Sequence, residues 1–313
     1  MIDRFRGCLL GLATGDALDT TLEFLPPSRV KPISGMVGGG PFALQPGEWT
    51  DDTSMALCLA ESLIERGRFD AEDQMRRYVR WYRTGHLSST GKCFDIGGTT
   101  RRSLEQFERT GDPMSGPTAE NTAGNGSIMR LAPVPLFYRR SAQQAVVRAA
   151  ESSRTTHGAR NAVDACRYLS GLIWGALNGA SKADLIEGVF SPFERCWEKD
   201  PLAPEIAEIA ACTFRQKKPP EIAGTGYVVR SLEAALWAFH RTDSFRDGCL
   251  AAVNLGDDAD TTGAVYGQIA GAYYGLPAIP APWLKQIAKR AAIDSFAKKL
   301  FVASSSSSSR QPD

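Results

Sequence analysis

A chain of 313 residues with 43% hydrophobic content can bury a substantial core as one large unit, and no proline- or serine-rich linker divides it into two equal halves. Thirty-six basic residues against 35 acidic ones leave a formal charge of +1, which excludes a summed field that would draw in nucleic acid or an anionic membrane. Cys8, Cys58, Cys93, Cys166, Cys196, Cys212 and Cys249 are scattered and form no C-x-x-C pair, the pattern of free, buried thiols in a reducing cytosol. No signal cleavage site is recognisable and no uninterrupted apolar run reaches about 18 residues, so a cytoplasmic protein without a membrane-spanning segment is expected.

The first predicted element is a helix over 5–18, where Leu9, Leu10, Leu12, Ala13 and Ala17 recur near helical spacing. Gly7, Gly11 and Gly15 stack on one of its faces. Glycine weakens a helix, so that face is expected to meet another backbone at close range. Residues 25–48, with Pro26-Pro27, Gly38-Gly39-Gly40-Pro41 and Pro46-Gly47, read as a long loop of the kind that often carries function. Helices follow over 52–66, 71–83 and 98–109, and a second Gly-, Pro- and Asn-rich passage covers 110–126. The remaining helical patterns lie at 141–153, 158–178, 182–189, 203–215, 226–240, 244–254, 260–274 and 282–299. Convincing period-2 alternation is absent, so the fold class is all-α. One domain over 1–300 is expected, with 301–313 as a disordered Ser-rich tail.

Two acidic clusters carry the chemistry: Trp49-Thr50-Asp51-Asp52-Thr53 and Gly256-Asp257-Asp258-Ala259-Asp260-Thr261-Thr262. Their carboxylates and hydroxyls, with no Cys or His among them, are the hard oxygen ligands that Mg²⁺ or Mn²⁺ prefers and Zn²⁺ usually does not. Consecutive helical residues point about 100° apart, so Thr50, Asp51 and Asp52 can surround a cation only at a helix start. Apolar stripes run on from both clusters, through Met55, Leu59 and Leu63 and through Ala264, Val265 and Ile269. Taken singly, each cluster also suits an acidic helix cap favoured by the dipole. Two such clusters with embedded threonines point instead to the halves of one metal site, which requires a single domain.

Further segments complete a pattern. Gly15-Asp16-Ala17-Leu18 with Glu23-Phe24, the first acidic cluster, Gly124-Asn125-Gly126-Ser127-Ile128-Met129-Arg130 and Asp258-Ala259-Asp260-Thr261 resemble, in order, the motif set of the ADP-ribosylglycohydrolase family. Cys93-Phe94-Asp95-Ile96-Gly97-Gly98-Thr99-Thr100 is most similar to its bacterial branch, the dinitrogenase reductase-activating glycohydrolases. The resemblance covers about residues 4–275. It implies an orthogonal all-α domain with a binuclear Mg²⁺ or Mn²⁺ centre held by Thr50, Asp51, Asp52, Asp258, Asp260 and Thr261. It also implies an ADP-ribosylated protein as substrate, usually modified on arginine in this branch, and ADP-ribose as product. Two positions depart from the pattern: Asp19 and Asp257 stand where members often have glycine, the first putting packing near Glu23 in doubt and the second adding charge near the metals.

Cleaving an N-glycosidic bond develops oxocarbenium character at the anomeric carbon while the guanidine leaves with a proton. Asp95 is the candidate carboxylate facing that guanidinium, and Glu23 the second candidate acid or base. As isolated residues, Asp95 also suits a turn in a Gly-rich loop and Glu23 a solvated charge. Gly124, Asn125, Gly126 and Ser127 would offer backbone N–H groups and a hydroxyl to phosphate, although such a turn is common as plain structure. His157 is the family histidine near the substrate by resemblance; alone it suits a capping or packing role. Arg130 could meet a phosphate or merely a carboxylate, and its role stays open. His86 and His240 have no carboxylate pattern around them, and Tyr273-Tyr274 suits packing better than an adenine clamp. Two other readings stay open: an ADP-ribose-binding module without turnover, and a hydrolase of a different ADP-ribosyl conjugate.

Overall fold

The computed structural model describes residues 1–306, except the side chains of Asp19, Ala259, Asp260 and Ser306. Among the described residues there are fourteen α-helices and no strands. They are α1 (Ile2–Asp19), α2 (Asp51–Arg66), α3 (Ala71–Thr84), α4 (Gly98–Thr110), α5 (Pro133–Phe137), α6 (Ala142–Arg154) and α7 (Arg160–Leu177). The second half of the chain forms α8 (Lys182–Ile186), α9 (Pro204–Ala210), α10 (Val228–Arg241), α11 (Phe245–Val253), α12 (Ala259–Tyr274), α13 (Ala281–Gln286) and α14 (Arg290–Ser306). The core runs through all of them without a break, from Phe5 and Leu9 through Trp49, Trp81 and Tyr168 to Leu300.

The glycine face of α1 meets the expected backbone, and the partner is α12. A Cβ built on Gly11 would fall on the carbonyl oxygen of Gly267, and one on Gly15 would fall on that of Gly263. Only residues without side chains let two helices approach this closely. The pairing brings the C-terminal end of α1, with Asp16, beside the N-terminal end of α12, where the second acidic cluster begins.

Three predicted helices end differently from the sequence reading. The pattern at 203–215 stops at Ala210, because Cys212 takes a left-handed φ of 61° before a short 3₁₀ turn. That at 282–299 splits into α13 and α14 around Lys289, whose φ is 51°. The 182–189 pattern closes at Ile186. The domain boundary also moves: α14 continues past residue 300 into the serines. Ser304 is buried, donates to the Phe301 carbonyl at 2.8 Å and accepts from Arg139 Nε at 3.0 Å. A run of serines is helix-neutral, and packing against Arg139 decides its conformation. The rest of the expected tail, 307–313, lies outside the described residues.

All seven cysteines are free, and all but the half-buried Cys93 are buried. No helix among the described residues is long and apolar enough to cross a membrane.

Candidate active site

The site is built outward from Asp16, a fully buried carboxylate in the apolar helix α1. It accepts hydrogen bonds from the backbone N–H and hydroxyl of both Thr50 and Thr53, at 2.5 to 3.0 Å. Burial raises the Asp16 pKa to about 6 against the opposing pull of these four bonds. Asp16 thus caps α2 from another helix. Neither acidic cluster caps its own, since the N-cap residues Thr50 and Asp258 make no side-chain capping bond. Asp51 and Asp52 in the first turn of α2 are left available for other partners.

The two clusters meet. Asp51, Asp258 and Thr261 line one cleft of about 330 Å³, and Thr261 Oγ1 donates to Asp52 Oδ1 at 3.5 Å across 209 positions of sequence. Asn125 Nδ2 holds Asp258 in place, donating to its Oδ2 at 3.2 Å and to Ser231 Oγ at 2.9 Å. The pKa values of Asp51 and Asp52 are driven well above the ordinary carboxylate range, first by burial and then by their acidic neighbours. Asp52 Oδ2 is buried without a hydrogen-bond partner. Among the described residues no three acidic, His or Cys side chains stand close enough to form a ready metal cage; the Asp260 side chain lies outside them.

Glu23 and Asp95 face the same cleft. Glu23 is buried, and its pKa is raised to about 10 by burial and by the charges of Asp95 and Asp258. So raised, Glu23 is held protonated beside Asp95 at neutral pH. Asp95 stands in a left-handed conformation, φ 60°, within the loop between α3 and α4. That loop is tied to the acidic helix and the residue before it, where His86 Nε2 meets Glu61 Oε2 at 2.8 Å and Ser89 donates to the Trp49 carbonyl, and to the α13–α14 junction, where Lys289 donates to the Ser88 carbonyl. The Glu23 segment is joined to the second cluster by paired backbone bonds, Phe24 N–H to Asp257 O and Asp257 N–H to Leu25 O, both 2.8 Å. Asp257 takes φ 66°, a conformation that favours glycine, and does not line the cleft. Its place is therefore in the backbone junction rather than beside the acidic floor.

The wall opposite is the Gly124–Gly126 turn, whose Asn125 N–H bonds to the Gly226 carbonyl at 3.1 Å. Gly124, Asn125, Gly126 and His157 all line the cleft. Gly126 has to be glycine: a Cβ there would lie 2.8 Å from His157 Cε1. Ser127 corrects the sequence reading. Its hydroxyl points into the core, accepting from Ser153 Oγ at 3.0 Å and from Cys166 Sγ at 3.4 Å, and it does not reach the cleft. Arg130 forms no ion pair among the described residues. It is buried against Tyr78, 4.5 Å from guanidinium to ring centre, with Nη2 donating to Thr156 Oγ1 at 2.6 Å.

Thr50 and Asp52 are buried and, unlike Asp51, do not line the cleft. Sequence reasoning gave no role to Asp16, Thr156 or the cleft-lining Gly226. For Asp16 a signal existed: an acid embedded among Leu9, Leu12, Ala13 and Ala17 cannot be there for solubility. Gly226 lies in Gly224-Thr225-Gly226, a turn whose purpose shows only once Asp258 N–H bonds to the Gly224 carbonyl at 2.9 Å.

An all-helical domain whose cleft is floored by carboxylates from both ends of the chain and walled by glycine turns is an enzyme of the glycohydrolase class. The chain belongs to the ADP-ribosylglycohydrolase family, whose model matches residues 1–310. It is 47% identical over 300 residues to a Serratia proteamaculans protein named ADP-ribosylarginine hydrolase Tri1, covering 96% of this chain and 79% of that one. It is 30% identical over 289 residues to the ADP-ribosyl-[dinitrogen reductase] glycohydrolase of Rhodospirillum rubrum, covering 91% and 90%. A solved structure described as an ADP-ribosylglycohydrolase-related protein complex superposes with a TM-score of 0.85 at 47% identity, covering 97% of this chain and 98% of that one.

Proposed function

We propose that the protein removes ADP-ribose from ADP-ribosylated arginine side chains of another protein. The observation that carries this reading is the convergence of Glu23, Asp95, Asp51 and Asp258 on one cleft, with Glu23 held protonated by burial and by its acidic neighbours. One relative supports the arginine linkage by name, an ADP-ribosylarginine hydrolase, and another, a glycohydrolase of ADP-ribosyl-dinitrogen reductase, supports a modified protein as substrate. Asp95 faces the planar guanidinium, for which a carboxylate is the natural partner. As the bond between the anomeric carbon and the guanidine nitrogen breaks, its electron pair goes to nitrogen, and the proton of Glu23 follows. Water then adds to the anomeric carbon and returns a proton to Glu23, leaving ADP-ribose and an unmodified arginine side chain on the substrate protein.

Divalent cations, Mg²⁺ or Mn²⁺, belong to the same proposal, with Thr50, Asp51, Asp52, Asp258, Asp260 and Thr261 as the residues that would hold two of them. The donor set fits: all oxygen, crowded with like charge, and with Asp52 Oδ2 buried and unbonded. When bound, such cations supply positive charge that orients hydroxyl oxygens and acidifies water. Incubation with arginine-, serine- and nucleoside-linked ADP-ribosyl compounds, each metal supplied in turn, tests the reading by product mass. Release of ADP-ribose from the arginine conjugate is expected. AMP or inorganic phosphate as product, or binding of ADP-ribose with no release from any conjugate, would refute it.

A further inference from the structure

We infer that Arg130 and Thr156 are positioning residues that fix His157 in the tautomer carrying hydrogen on Nε2, so that the ring offers the cleft a hydrogen-bond donor. The argument is one of counting hydrogens. Arg130 is buried and can only donate, so the 2.6 Å contact from its Nη2 uses a lone pair of the Thr156 hydroxyl. Thr156 Oγ1 stands 2.9 Å from His157 Nδ1. If Nδ1 carried the hydrogen, the Thr156 hydroxyl would accept twice, and its own hydrogen would be buried with no acceptor in reach among the described contacts. If Nδ1 is bare, the hydroxyl donates to it, and both the Thr156 hydroxyl and Nδ1 are satisfied.

The other edge of the ring then faces the cleft. Both Nε2 and Cε1 abut Gly126, and Nε2 lies against the position a Gly124 Cβ would take, 3.4 Å away; both glycines line the cleft. The ring also stays neutral. Burial and the Arg130 charge behind it lower the His157 pKa to about 3, so it presents one N–H rather than a cation. Arg130 itself is otherwise poorly satisfied: Nη1 reaches only Met55 Sδ at 3.7 Å, and Nε has no partner. A buried guanidinium held on such weak contacts is costly, and its bond to Thr156 is the one that does something for the cleft. The recognised atom must be a hydrogen-bond acceptor, and a phosphate or ribose oxygen of ADP-ribose is the ligand atom inferred. That choice of ligand rests on the proposed function; the tautomer does not.

Imidazole ¹⁵N NMR of the ligand-free protein reads the tautomer directly. The chain has three histidines, so a His157→Gln variant assigns the signal. A pyrrole-type shift at Nε2 and a pyridine-type shift at Nδ1, unchanged between about pH 5 and 8, are expected. Thr156→Val should mix the tautomers and weaken ADP-ribose binding, measured by calorimetry, by about tenfold, the scale of a lost hydrogen bond to a charged acceptor. Thr156→Ser should restore both. Hydrogen on Nδ1 in the wild-type protein would overturn the inference, as would unchanged ADP-ribose affinity in a Thr156→Val variant that melts like the wild type. Because the tautomer is read without substrate, it is decided separately from which conjugate the enzyme cleaves.

Discussion

Asp95 and Glu23 are chemically alike and differ in what surrounds them. Glu23 is pressed into the protein beside Asp258, while Asp95 sits on a strained loop that aims it at the same space. That division predicts a separable effect. Asp95→Ala should keep ADP-ribose affinity within a few-fold and lose roughly 10²–10⁴-fold of turnover on an arginine conjugate, the usual range for a positioned acid or base. Single-turnover kinetics alongside calorimetry would check it; unchanged turnover would remove Asp95 from the chemistry. Residue types and motif order were enough to pick out Asp51, Asp95, Asp258 and His157 for this cleft. They could not reveal Asp16 as the organiser of α2, because its partners Thr50 and Thr53 are 34 to 37 positions away. Ser127 misled for the same reason: whether a hydroxyl faces cleft or core depends on Ser153 and Cys166, which only the fold brings near.

Among the elements, the α1–α12 pair sets the geometry of the site. The glycines that would weaken either helix alone allow the backbones to touch, and the contact fixes how far Asp16 stands from the start of α12. Gly11→Ala would push its methyl group onto the Gly267 carbonyl. A stability loss of about 1–3 kcal/mol or more is expected from such overpacking, together with reduced turnover as Asp258 shifts away from Asp51. Thermal melting and kinetics on the same variant would check both; a wild-type melting temperature would show that the helices have room to part. The glycine spacing made this contact legible from sequence, since nothing else explains three glycines on one helical face. The break at Cys212 and the helical Ser304 were not legible. Local propensity allowed the first to stay helical and the second to be coil, and tertiary packing chose otherwise.

For the molecule as a whole, the acidic floor makes stability depend on pH. Asp51, Asp52 and Glu23 all have folded pKa values raised above those of the unfolded chain, so the folded protein binds more protons. Their stabilising contribution is therefore complete below about pH 4 and is lost as pH rises through the raised values, that of Glu23 lying at about 10. The chelated protein should melt at lower temperature near pH 8 than near pH 5, as far as these groups govern it, and added Mg²⁺ or Mn²⁺ should recover more at the higher pH. A melting temperature indifferent to both metals at either pH would contradict a cation site among these carboxylates.

The most direct measurement is release of ADP-ribose from an ADP-ribosyl-arginine substrate by chelated wild-type protein, by the same protein resupplied with Mg²⁺ or Mn²⁺, and by Asp258→Asn under both conditions. The account predicts no release after chelation, recovery with metal in the wild type, and none in Asp258→Asn at either stage despite native helicity. Full-rate release by the chelated protein, or by Asp258→Asn, would contradict it.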